Sequence, residues 1–318
     1  MTTGGQPLRT IADAGEFGLI AEVTRGLGTG PSVLIGPGDD AALLAVGAGG
    51  VLVSTDLLIE GRHFRRDWSS AYEVGRKAAA CNLSDVNAMG GRATALTVGF
   101  AAPAGLPMEW ATDLARGIED EAASIGAHVI GGDTSASESI VVSVTVLGEA
   151  DRVVPRGGAR PGDVVAVAGT LGLAGAGLAA LSRGFRSPKA AVEAHRVPEP
   201  PYAAGPAAAA AGATAMTDVS DGLLADLGHV VEASGVAADL DPAAFVVPEA
   251  VRTVAEALGG DPLRFVLAGG DDYALVATFS PQATMPPAFR PVGVVREGSG
   301  VTVAGAPFDG STGHQHFH

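Results

Sequence analysis

Six times along the chain an aspartate stands at the end of a short apolar run, beside glycine, serine or another aspartate. The stretches are Gly36-Pro37-Gly38-Asp39-Asp40-Ala41, Ser54-Thr55-Asp56, Asn82-Leu83-Ser84-Asp85, Gly131-Gly132-Asp133-Thr134, Thr217-Asp218-Val219-Ser220-Asp221-Gly222 and Gly269-Gly270-Asp271-Asp272-Tyr273. One such aspartate is usually a turn residue or a helix cap. Six together read better as ligands for hard divalent cations, which take oxygen donors: one or two carboxylates per ion, completed by phosphate and water. Metal-bridged binding of a polyphosphate accounts for the density of the motif. Asp85 is the hardest to dismiss. It follows Ala78, Ala79, Ala80, Cys81 and Leu83, a stretch apolar enough to be buried, where a lone carboxylate needs a partner.

Composition narrows the alternatives. With 318 residues the chain is long enough for about two domains, each with its own core. Its 20 basic residues against 35 acidic ones give a net charge of −15, so no basic face exists for nucleic acid. The single cysteine, Cys81, excludes a disulfide framework and a multi-thiolate zinc site. No run of eighteen apolar residues could cross a membrane, and the N-terminus lacks a basic-then-apolar signal pattern. The expectation is a cytoplasmic protein with no membrane or nucleic-acid partner.

Both halves mix strands and helices, which predicts the α+β class. In the first, Val33 to Ile35, Val51 to Ser54, Ala95 to Phe100 and Ile140 to Leu147 read as strands. Ala71 to Met89 and Met108 to Ile125 read as helices. Residues 151–162 carry Pro155, Gly157, Gly158, Pro161 and Gly162 and are read as a linker between domains at 1–150 and 163–318. In the second half Val164 to Ala168 and Thr214 to Asp218 read as strands. Helices are expected from Leu173 to Leu181 and across Leu223, Leu224, Leu227, Val230 and Val231. A polar surface excursion is expected from Arg183 to Pro201, a strand within Leu267 to Phe279, and a closing hairpin from Pro291 to Val303. Neither a dinucleotide G-x-G-x-x-G turn nor a P-loop occurs, so phosphate chemistry here does not use the common nucleotide folds.

The ordered set of motifs, including Ser54 to Phe64 with Glu60, Gly61, His63 and Phe64, resembles the thiamine-monophosphate kinases. Their superfamily also holds aminoimidazole ribonucleotide synthetase, selenophosphate synthetase and a hydrogenase maturation factor. The resemblance spans about residues 15 to 318. It implies an N-terminal ATP- and Mg²⁺-binding half that dimerises through its sheet, and a C-terminal α+β half packed against it. It also implies transfer of the ATP γ-phosphoryl group directly to the phosphate of thiamine monophosphate. The acceptor oxygen is already anionic, so no catalytic base is assigned. By resemblance Asp39, Ser54, Thr55, Asp56, Asp85, Asp133, Asp218 and Asp221 coordinate magnesium. Gly132, Asp133, Arg156 and Ser220 contact ATP; His63, Asp271 and His314 meet the thiamine phosphate. Asp271 replaces the family's usual glutamate, one methylene longer, and His314 stands at an aromatic position of the closing segment. Cys81, inside an apolar helical run, argues against a selenophosphate synthetase. The remaining rivals are an aminoimidazole ribonucleotide synthetase-like enzyme and a non-catalytic cation-binding module.

Overall fold

The structure, a computed structural model, describes residues 33–35, 39–40, 42–46 and 49–314. Two mixed sheets organise it. The first has the order β1-β2-β3-β6-β4-β5, with β1 Val33–Ile35, β2 Ala42–Val46, β3 Gly49–Ile59, β4 Arg92–Ala102, β5 His128–Ala136 and β6 Val141–Glu149. Neighbours run antiparallel except β4 and β5. On β6, Val142, Val144 and Val146 are buried while the residues between them are half-buried, the period-two pattern of a sheet covered on one face.

Helices α1 (Ala71–Ala88) and α2 (Met108–Ala123) cover that face. A capping box fixes the start of α1: Ser70 Oγ accepts the Glu73 N–H at 3.3 Å, and Glu73 accepts the Ser70 N–H at 2.7 Å. Gly90, at φ 79°, lets the chain leave the helix. Where the two helices cross they touch backbone to backbone. A Cβ on Gly75 would lie 2.1 Å from the Leu114 carbonyl oxygen, and one on Gly117 2.1 Å from that of Tyr72.

The second sheet has the order β13-β12-β9-β11-β7-β10-β8. Its strands are β7 Val164–Ala168, β8 Ala215–Val219, β9 Ala237–Leu240, β10 Ala274–Phe279, β11 Phe289–Arg296, β12 Gly300–Val303 and β13 Ala306–Pro307. Both faces of its centre are covered: Val165, Val167 and Val276 enter one core, while Ala166, Ala168, Leu275 and Ala277 enter another. Its helices are α3 Leu173–Ser182, α4 Lys189–Arg196, α5 Ala204–Ala210, α6 Leu223–Ser234, α7 Glu249–Ala257 and α8 Pro262–Ala268.

Two expectations fail here. The segment read as a surface excursion contains α4, whose Ala191, Val192 and His195 are buried; one polar turn hides a stripe too short to read from composition. The closing hairpin does not form, because β9 lies between β11 and β12 and pairs parallel with β12. Strands β2, β5 and β9 were not anticipated. The fold is α+β. Among the described residues no helix is long and apolar enough to cross a membrane.

Candidate active site

A cleft of ≈ 620 Å³ opens where the two sheets meet. Three elements build its acidic end. Beyond Val53, strand β3 keeps β6 on one side but loses β2 on the other, and the freed Asp56 N–H donates to Asn82 Oδ1 at 2.9 Å. Ser54 and Asp56 share a face of that strand. Thr55 points to the opposite face, where its hydroxyl lies 2.6 Å from that of Thr145. From α1, Asp85 meets Ser54, whose hydroxyl donates to Oδ2 at 2.5 Å. From β8, buried Asp218 accepts from Ser84 Oγ at 2.8 Å. Ser220 and Asp221 follow at the mouth of the turn and line the cleft.

Asp40 completes this end. Carboxylate oxygens of Asp40, Asp85 and Asp218 all lie within 4.8 Å of one another. One Asp40 oxygen accepts from Arg156 Nη2 at 2.6 Å and Thr217 Oγ1 at 2.9 Å; the other is buried without a hydrogen bond among the described residues. Removal from water, with Asp56, Asp218 and Asp40 as like-charged neighbours, pushes Asp85 well above the usual carboxylate range. Burial and the nearby Asp40 raise Asp218 to about 8. Burial disfavours charge on Arg156 too, but the carboxylates of Asp40, Asp218 and Asp226 together outweigh it and hold the guanidinium protonated. Three converging acids and one orphaned buried oxygen fit an oxygen-seeking divalent cation such as Mg²⁺.

The other end differs in character. Lys77, Cys81 and Asp85 stand at i, i+4 and i+8 on one face of α1, so that helix runs from a cation to an anion along the cleft, ~12 Å apart. Lys77 Nζ donates to Asp271 Oδ2 at 2.8 Å. Burial pushes the Asp271 carboxyl up most strongly, but the charge and hydrogen bond of Lys77, together with the facing imidazoles of His195 and His63, hold it below its ordinary value. Trp68, His63, Leu178 and Phe265 supply an apolar and aromatic wall. His63 Nδ1 accepts the Ile59 N–H at 3.0 Å, so the neutral ring carries its proton on Nε2. Burial pushes the Cys81 thiol up, which makes it unreactive.

Of the residues singled out from sequence, the structure brings Asp56, Asp85, Asp218, Ser220, Asp221, His63, Asp271 and His314 to the cleft. Asp271 rather than Asp272 faces it. Asp272 is buried and caps α3, accepting the Gly172 and Ala174 N–H groups at 2.5 and 3.0 Å. Asp39 is turned to the Arg156 backbone N–H, and Arg156 reaches the site through Asp40. Gly132 and Asp133 lie exposed on β5, the edge strand, separated from β3 by β6 and β4. Phe317, which stands three residues after His314 and is the alternative to it for stacking on the substrate, is outside the described residues. Sequence reading passed over Asp40, Lys77 and His195. Lys77 carried a signal, eight residues before Asp85 inside an apolar run; His195 carried none.

Fold and site define a two-domain protein of the AIR synthase-related class. Family models for the AIR synthase related protein N-terminal and C-terminal domains match residues 38–150 and 160–283. Thiamine-monophosphate kinase of Mycobacterium tuberculosis is 48% identical over 97% of this chain and 93% of its own length. The chain belongs to the thiamine-monophosphate kinase family. Among solved structures, AaThiL complexed with AMPPCP and TMP superposes with a TM-score of 0.89 at 32% identity, covering 99% of this chain and 100% of that one. Thiamine monophosphate kinase from Aquifex aeolicus gives 0.85 at 31% identity, covering 95% and 100%.

Proposed function

We propose that this protein transfers the γ-phosphoryl group of ATP to the phosphate of thiamine monophosphate, giving thiamine diphosphate and ADP. An acceptor phosphate oxygen forms the new bond to the γ-phosphorus while the bond to the ADP β-phosphate oxygen breaks. The acceptor carries no proton that must leave, so the protein's work is alignment and charge neutralisation. The observation that carries the reading is the convergence of Asp40, Asp85 and Asp218 at one end of a cleft whose other end is aromatic. A chain of net charge −15 cannot hold two phosphate-bearing substrates on its own carboxylates.

Asp40, Asp85 and Asp218, with Ser54, Asp56 and Asp221 beside them, would hold Mg²⁺, which when bound supplies the positive charge that the phosphates need. Arg156 braces Asp40, and Ser220 faces the nucleotide phosphates. His63, Asp271 and His314 face the thiamine moiety. Family membership and the AaThiL complex with AMPPCP and TMP support the two substrates that these roles serve.

The active species is proposed to be a homodimer. Strand pairing aligns Asp133 with Gly99, Ser143 and Leu57 in one row, which puts it about 14 Å from β3 on the face that α1 and α2 leave bare. Thr55 shares that face, and Leu57 is 53% exposed on it. Asp133, Gly132 and Thr55 can serve one site if a second copy covers this face. Asp85→Asn tests the acidic end: loss of transfer with an unchanged circular dichroism spectrum supports the reading, and full activity contradicts it.

A further inference from the structure

Lys77 is 3% exposed, an unusual place for an ammonium group. Besides its bond to Asp271 it donates to the His195 carbonyl oxygen at 3.2 Å. His195 Nδ1 lies 3.5 Å from the same Asp271 oxygen, Oδ2, and has no hydrogen bond among the described residues. Burial and the adjacent Lys77 lower this imidazole to about 3, so it is neutral. Asp271 is itself tightly held. Its φ of 65° is uncommon for a residue other than glycine, and its N–H donates to the Ser220 carbonyl oxygen at 2.7 Å.

The two carboxylate oxygens therefore differ. Oδ2 is taken by Lys77, whereas Oδ1 has, among the described residues, only the Tyr273 hydroxyl at 3.5 Å, the outer limit of a hydrogen bond. The Lys77–Asp271 pair is neutral as a unit. It offers an acceptor lone pair without net negative charge, which suits a neutral N–H donor better than a cationic ring. Thiamine monophosphate presents both groups: a thiazolium cation and an exocyclic amino group on its pyrimidine.

Resting on the thiamine-monophosphate reading above, we propose that Lys77 is a positioning residue for that substrate: it fixes Asp271 so that Oδ1 accepts a hydrogen bond from the pyrimidine amino group. Without Lys77 the carboxylate loses its partner and its orientation together.

Initial rates of wild type, Lys77→Met, Asp271→Asn and the double variant test this, with thiamine monophosphate and ATP varied separately. Each single variant is expected to raise KM for thiamine monophosphate about tenfold, while KM for ATP stays near wild type. The double variant is expected to be no worse than the worse single one, since both changes remove one interaction. An unchanged KM in Lys77→Met, or penalties that multiply in the double variant, would overturn the proposal.

A second arm needs no lysine variant. An analogue of thiamine monophosphate with a carbonyl oxygen in place of the amino group should show about a tenfold higher KM in wild type. Asp271→Asn, whose amide can donate to that oxygen, should narrow the gap. Equal KM values for analogue and substrate in wild type would overturn the proposal even if Lys77→Met does not fold. A wild type that forms no thiamine diphosphate would overturn the underlying reading, and this inference with it.

Discussion

Asp85 is where the chemistry of the cleft is most concentrated. It sees Asp56, Asp218 and Asp40 as like charges and has one hydroxyl, that of Ser54, to offset them. Such a group tolerates its charge only with a cation nearby. Asp85→Asn is therefore expected to lower the rate of thiamine diphosphate formation by about 100-fold or more, while the unfolding midpoint in chelator holds or rises. Asp218 gives the pH dependence. Its ordinary value is 3.8 and its folded value is about 8, so the metal-free folded state binds the proton more tightly than the unfolded chain. The stability this provides is full below the unfolded value and is lost as pH rises through about 8. In chelator, thermal unfolding should shift down between about pH 6 and about pH 8.5, and Mg²⁺ should restore more at the upper pH than at the lower. A Mg²⁺ effect of equal size at both would contradict the assignment of Asp218 as a ligand. At this scale the sequence was only half legible. The Gly36 to Ala41 motif announced an acid, and the resemblance pointed to Asp39, whereas Asp40 is the neighbour that joins Asp85 and Asp218. That depends on Arg156 and Thr217, more than a hundred residues away, which bind Asp40 and leave Asp39 to the backbone.

Helix α1 is the element on which the site is built. It carries Lys77, Ser84 and Asp85 to three different partners in the second half of the chain or on β3. Its position is set from the far side by Gly75 and Gly117, where α2 approaches to backbone contact. Gly117→Ala should force the helices apart and cost about 1–3 kcal/mol or more, despite alanine's better helix propensity. Chemical denaturation of the variant measures this; a neutral or stabilising result would show that α1 is not held by that contact. Regular elements of this kind were legible in advance: α1, α2, β6 and β7 each fill enough turns or alternations to show a period. Elements whose identity depends on distant pairing were not. Strand β5 offers only a short apolar run before Gly131 and Gly132 and is completed by its pairing with β4, and β9 has no signal of its own until β11 and β12 flank it.

At the scale of the molecule, the face of the first sheet that α1 and α2 do not cover and the cleft belong to one account. If Asp133 of one copy completes the site that Asp56 of another copy begins, two inactive variants should rescue each other. Mixing Asp133→Ala with Asp56→Asn under conditions that exchange subunits should recover about a quarter of the wild-type activity, since half the dimers are mixed and each has one intact site. No recovery, with subunit exchange verified, would contradict a shared site. The central claim is tested most directly by incubating the protein with ATP, Mg²⁺ and thiamine monophosphate and separating the products. The account predicts thiamine diphosphate and ADP in equal amounts, abolished by chelator and by omission of the acceptor. A folded protein that binds ATP and Mg²⁺ yet leaves thiamine monophosphate unchanged would contradict it.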